Sequence, residues 1–78
     1  NVQKVYLEGR IAQGLDSDII DLMIIGNDID RNYLSSLVEK AEPLLGKKIR
    51  YLVFDEIDAE VYVIKHSKDL VLIFDYSA

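Results

Sequence analysis

Gly9-Arg10-Ile11-Ala12-Gln13-Gly14-Leu15-Asp16-Ser17-Asp18-Ile19-Ile20-Asp21-Leu22-Met23-Ile24-Ile25-Gly26 is the stretch whose reading decides the fold. Two glycines sit in a short polar segment, three carboxylates follow, and the chain then enters an apolar run. Carboxylates at the mouth of a buried strand are costly unless they bind a cation, cap a turn or reach water. Apart from Asp21, residues 19–25 show little polar/apolar alternation, so both faces of this segment are expected to be covered, as in a central strand.

Upstream, Val2–Glu8 reads as a strand, with Val5 and Leu7 on one face and Tyr6 on the other. Residues 9–17 read as a loop that uses the freedom of Gly9 and Gly14. Downstream, Gly26-Asn27-Asp28 reads as a turn. Leu34, Leu37, Val38, Ala41, Leu44 and Leu45 then recur at helical spacing, opposite Glu39, Lys40 and Glu42. Asp28 or Asp30 suits the start of that helix and Gly46 its end, with Pro43 in the last turn. Lys48–Phe54 alternates as a third strand. Residues 55–64 give mixed signals: Asp55 and Asp58 mark a helix start, whereas Val61-Tyr62-Val63-Ile64 favours a strand. The reading is a short helix or turn followed by extended chain. Residues 66–69 form a turn, and residues 70–74 a last strand. The order predicts a single α/β (α+β) domain over residues 1–78, a small mixed β-sheet packed by helices.

Half of the 78 residues are hydrophobic, which is much for a chain with so little interior. The excess points to a homodimer contact or a neighbouring domain. The chain opens at Asn1 without methionine, almost directly in a strand, and reads as a piece of a longer or processed protein. Fourteen acidic against nine basic residues, net charge −5, argue against a phosphate-gripping surface. The absence of cysteine excludes disulfides and thiolate zinc sites and suits the cytoplasm. No apolar run is long enough for a membrane helix. His66 has no second histidine with which to share a metal. Lys47, Lys48 and Arg50 read as a solvated basic cluster after the helix.

The opening stretch resembles the nucleotidyltransferase superfamily typified by DNA polymerase beta, above all its minimal bacterial members. Gly9, Ala12 and Gly14 match the glycine loop of that family, and Ser17 with Asp21-Leu22 matches the end of its Ser-Asp-x-Asp-Leu motif. The likeness extends over residues 5–55 through the Leu-x-x-Leu-Val-x-x-Ala helix and Gly-Lys-Lys-Ile. It is closer still to the nucleotidyltransferase-like domain that follows a winged-helix domain in bacterial transcriptional regulators. That group shares the Ile-Ile-Asp-Leu ending and an Ile-Arg-Tyr-Leu-Val strand like residues 49–53. The resemblance implies a minimal nucleotidyltransferase-like fold, and contact with DNA only through a domain outside this chain.

The reaction of the family moves a nucleoside monophosphate from a triphosphate, with magnesium held by carboxylates and the triphosphate by the glycine loop. Carried over, the nucleotide-binding positions are Gly9, Arg10, Gly14 and Ser17, and the metal-binding and catalytic positions Asp18 and Asp21. Three departures count against catalysis. Two carboxylates share ions from one strand when they stand two residues apart, yet the position two before Asp21 is Ile19. Asp18, three before, points to the opposite face unless a bulge at residues 19–20 turns it. Arg10 replaces the family serine, and no metal ligand stands at Arg50, Tyr51 or Leu52 on the third strand. On this reading Asp16 and Asp18 make local backbone hydrogen bonds, Asp21 pairs with Arg10 or Arg50, and no cofactor is needed. The expected function is an inactive nucleotidyltransferase-like domain of a bacterial regulator, serving dimerisation or ligand sensing. The rivals are an active minimal nucleotidyltransferase using Mg2+ and a nucleoside triphosphate, and the antitoxin partner of a helical toxin.

Overall fold

The computed structural model describes residues 2–76. Strands β1 (Val2–Glu8), β2 (Ile19–Gly26), β3 (Lys48–Phe54) and β4 (Val71–Asp75) form one mixed sheet in the order β3-β2-β1-β4. Helices α1 (Gly9–Ala12), α2 (Arg31–Leu45) and α3 (Glu56–His66) connect them. The β1–β2 and β1–β4 pairs are antiparallel, and β2–β3 is parallel. The mixed α/β architecture read from the sequence is therefore the architecture observed.

The apolar run lies where its lack of alternation places it, in the sheet interior between β1 and β3. Met23 and Ile25 are buried on one face with Ala59 of α3, and Tyr6, Phe54, Tyr62, Val63 and Leu70 pack around them. Ile24 alternates with these residues and points to the other face, yet it too is buried. That face is covered by α2, which crosses from β2 to β3 and packs along β3.

Asp30, not Asp28, caps α2: its carboxylate accepts from the Tyr33 N–H at 3.0 Å. Gly46 ends the helix in the left-handed region at φ 66°, and its N–H donates to the Glu42 carbonyl at 2.9 Å. Pro43 does not stop the helix, which runs on to Leu45. The Glu42 carboxylate reaches forward to accept from the Ile49 N–H at 2.8 Å, fixing the helix end to the start of β3.

Two local readings are corrected. Residues 9–12 form one helical turn rather than open loop, after which Gln13 and Gly14 donate to the Arg10 and Ile11 carbonyls. Residues 55–66 do not turn extended after a short helix; α3 is continuous to His66. Its N-cap Asp55 accepts from the Asp58 N–H at 2.8 Å, with acidic Glu56 and Asp58 in the first turn and Lys65 and His66 in the last. Strand preference in the Val-Tyr-Val-Ile run is overridden because a helix lets Ala59, Tyr62 and Val63 reach β2 together.

Candidate functional site

The sheet register brings the carboxylates of interest to one end of one face. Asp21 on β2 stands opposite Glu8 on β1 and beside Arg50 on β3. It alternates with Met23 and Ile25, so it faces the side on which α3 packs. Arg50 grips it with two bonds: Nε donates to Oδ1 at 2.8 Å and Nη2 to Oδ2 at 3.2 Å. The Asp21 side chain is 21% exposed and Arg50 68%. The hydrogen bond to Asp21 and then its negative charge hold the Arg50 guanidinium above its ordinary pKa, against a smaller opposing effect of burial. Both Asp21 oxygens are thus engaged by a planar cation.

Asp18 does not join this pair. The β2–β3 ladder runs from Ile19 to Ile25 without a register shift, so no bulge turns Asp18 toward Asp21. Asp18 instead lines a shallow cleft beside Glu42, Pro43 and Lys48 at the end of α2, and its carbonyl accepts from the Lys48 N–H at 2.9 Å. Ile19 occupies the same-face position two before Asp21. Among the described residues no group of three or more His, Cys, Asp or Glu side chains is arranged to hold a metal.

The other positions of the glycine motif serve the loop. Asp16 accepts from the Ser17 N–H at 3.0 Å, and the Ser17 hydroxyl accepts from the Ile19 N–H at 3.1 Å, a local turn that delivers the chain into β2. Arg10 Nε donates to the Asp16 carbonyl at 3.2 Å, and Lys47 Nζ to the Ser17 carbonyl at 2.6 Å. Lys47 and Arg50 therefore hold specific partners and are not simply a solvated cluster. Gly14 turns the chain at φ 80°, with open space about it. Gly9, at φ 75°, lies against Asp21: a Cβ there would sit 2.5 Å from Oδ2.

Three participants escaped the sequence reading. Like charges directly opposite one another on neighbouring strands repel, so Glu8 across from Asp21 needs its own partner. The Tyr62 hydroxyl supplies it, donating to Glu8 Oε2 at 2.9 Å. One turn on, His66 stacks on Tyr62 with ring centroids 4.3 Å apart, so it is a half-buried helix-end residue and not a solvated turn. The signal lay in the i, i+4 spacing of Tyr62 and His66, legible once residues 55–66 are known to be helical.

Burial pushes the Tyr62 phenol above its ordinary pKa of 10.0, and the hydrogen bond and charge of Glu8, with the charge of Asp69, push the same way. A raised folded-state pKa contributes stability that is present below the unfolded value and lost as pH rises through the folded one. Tyr62→Phe is therefore expected to cost about 1 kcal/mol at neutral pH and to lose less stability than the wild type above pH 10.0. Urea denaturation at neutral and alkaline pH measures both. Comparison of the chain with protein-family models, curated proteins and solved structures gives no match.

Proposed function

We propose that this chain is a non-catalytic, nucleotidyltransferase-like domain of a bacterial transcriptional regulator, and that its work is to pair two copies. The motif resemblance over residues 5–55 supports the family. The Arg50–Asp21 bond carries the non-catalytic reading. A guanidinium fills the place where a shared divalent cation would bind Asp21, and Ile19 stands where the second carboxylate belongs. With neither ligand geometry nor free oxygens, Asp21 does not orient a triphosphate or activate an acceptor oxygen. It ties β3 to β2 instead.

The dimerisation part rests on apolar surface. Leu44, Ile57, Val61 and Ile64 are largely exposed, as are Leu72, Ile73 and Phe74 to a smaller degree. A two-fold pairing of such domains would set the separation of two attached DNA-reading domains, as dimeric regulators require to read half-sites.

Calorimetric titration with magnesium and ATP tests the non-catalytic reading. No saturable heat is expected from the wild type or from Asp21→Asn. Saturable, magnesium-dependent binding that Asp21→Asn abolishes would restore the active nucleotidyltransferase.

A further inference from the structure

Helix α3 covers only part of the sheet face on which it lies. It packs against β2 and β3, and a helix about 10 Å across spans about two strands set about 4.8 Å apart. Beside it, toward β1, runs an open groove of about 740 Å³, floored by Tyr6 and Ile25 and walled by Ile57, Val63 and Ile64. Leu72, paired with Tyr6 from β4 and 45% exposed, carries the apolar floor outward. Ile57 and Ile64, 80% and 73% exposed, stand two helical turns apart, about 10 Å, along the rim. An open trough of that length receives one side of an elongated apolar element and does not enclose a small molecule. On a sheet face, the element that covers apolar floor is a helix.

The charges of the groove identify the kind of helix. Glu56 and Glu60 stand one turn apart on the α3 wall, and like charges at that spacing repel. Neither has an ion-pair partner among the described residues, and Glu56 accepts from the Asn27 amide at a long 3.4 Å. Lys4, the one basic residue lining the groove, stands opposite Asp75 in the β1–β4 ladder, so the sheet supplies its counter-charge. Two carboxylates are thus left uncompensated along an apolar trough. A second copy brings no basic helix to them: α2 carries as many acidic as basic residues, and α3 more acidic than basic.

We propose that this groove docks an amphipathic α-helix of another polypeptide. The apolar stripe of that helix lies on Tyr6, Ile25, Ile57 and Ile64, and a row of Lys or Arg on its flank meets Glu56 and Glu60. Apolar contact supplies the affinity, and the charge match selects the partner and its orientation. The inference goes beyond the pairing of two copies and does not rest on it, since Leu44, Ile73 and Phe74 lie outside the groove.

Fluorescence anisotropy of a labelled peptide titrated with the 78-residue chain tests it. The probe is an alanine-based, helix-forming peptide of about 18 residues, with leucines at i, i+4, i+7 and i+11 and lysines along one flank. Saturable one-to-one binding is expected, and exchanging the lysines for glutamates weakens it about tenfold. The protein variant E56K/E60K reverses that preference and binds the glutamate peptide better. Ile57→Ser with Ile64→Ser, both outside the core, costs about tenfold at unchanged circular dichroism. Glu39→Lys, on α2 and away from the groove, stays within about twofold of the wild type. Should E56K/E60K lose helical signal, Glu60→Lys alone, beyond the first turn of α3, carries the same test at about threefold. Equal binding of the two peptides, or a Glu39→Lys loss as large as that of Glu60→Lys, would reduce the effect to net charge and overturn the site. Absence of saturable binding into the millimolar range would overturn it as well. Peptide release as protein concentration rises, with self-association that the two serine substitutions abolish, would give the groove to a second copy instead.

Discussion

Met23→Ala is expected to lower the unfolding free energy by about 3–5 kcal/mol. Met23 is fully buried at the centre of β2, where the two-layer packing of sheet and α3 converges. Truncation removes the side-chain contacts with its neighbours and leaves a cavity that neither a central strand nor a docked helix can collapse into. The chain has 78 residues, and a domain of that size holds about 4–12 kcal/mol in total. The variant is therefore expected to lose a large share of its stability, with a clearly lowered urea midpoint. Met23→Leu, which nearly conserves volume, costs less than about 1.5 kcal/mol. Urea denaturation followed by circular dichroism measures both, and equal costs would show that packing at Met23 does not organise the core.

Gly9→Ala is expected to destabilise the fold by about 2–3 kcal/mol, unusually large for a position at a strand-to-helix corner. Two costs combine. The backbone at Gly9 lies in the left-handed region, φ 75°, which a side chain disfavours by about 1–2 kcal/mol. The new Cβ would also sit 2.5 Å from Asp21 Oδ2, and 3.2 and 3.3 Å from the carbons behind it. That carboxylate cannot swing aside freely, because Arg50 holds both oxygens. In an Asp21→Ala background the same change should lose the clash with the carboxylate and keep the backbone cost and the tighter 3.3 Å contact with the Cβ at position 21. A double-mutant cycle on urea midpoints measures the coupling. Additive effects would mean that Gly9 and Asp21 act independently.

The fold was legible wherever one residue pattern settled an element. The unbroken apolar run after Asp21 placed a central strand, and the Leu34-to-Leu45 stripe with Gly46 placed α2. Residues 55–66 misled because a helix apolar on both sides loses the 3.6-residue contrast that marks an amphipathic one. Its Val-Tyr-Val-Ile run then reads as strand. Only the packing of Ala59, Tyr62 and Val63 against β2 shows why a helix wins. The site was legible to the same extent. Parity along β2 separated Asp18 from Asp21, and the unbroken ladder agrees. Arg50 was one of two basic partners named for Asp21, and it is the one bound. Glu8 and Tyr62 stayed hidden, since their meeting needs β1 and α3 brought together across fifty-four residues of chain, and the Tyr62–His66 contact stayed hidden with the helical state of residues 55–66.

Gly9 makes room for Asp21, Asp21 binds Arg50, and Tyr62 relieves Glu8 across the strand. Gly9, Asp21 and Arg50 thereby tie the β1–α1 corner to β2 and β2 to β3. On the function proposed above, a guanidinium and not a divalent cation is the partner of Asp21. Nitrogen-15 NMR of the Arg50 Nε–H group during a magnesium titration into the millimolar range tests it most directly. The resonance is expected to stay slow to exchange and unmoved throughout. A saturable shift with loss of protection, as magnesium displaces Arg50 from Asp21, would contradict it.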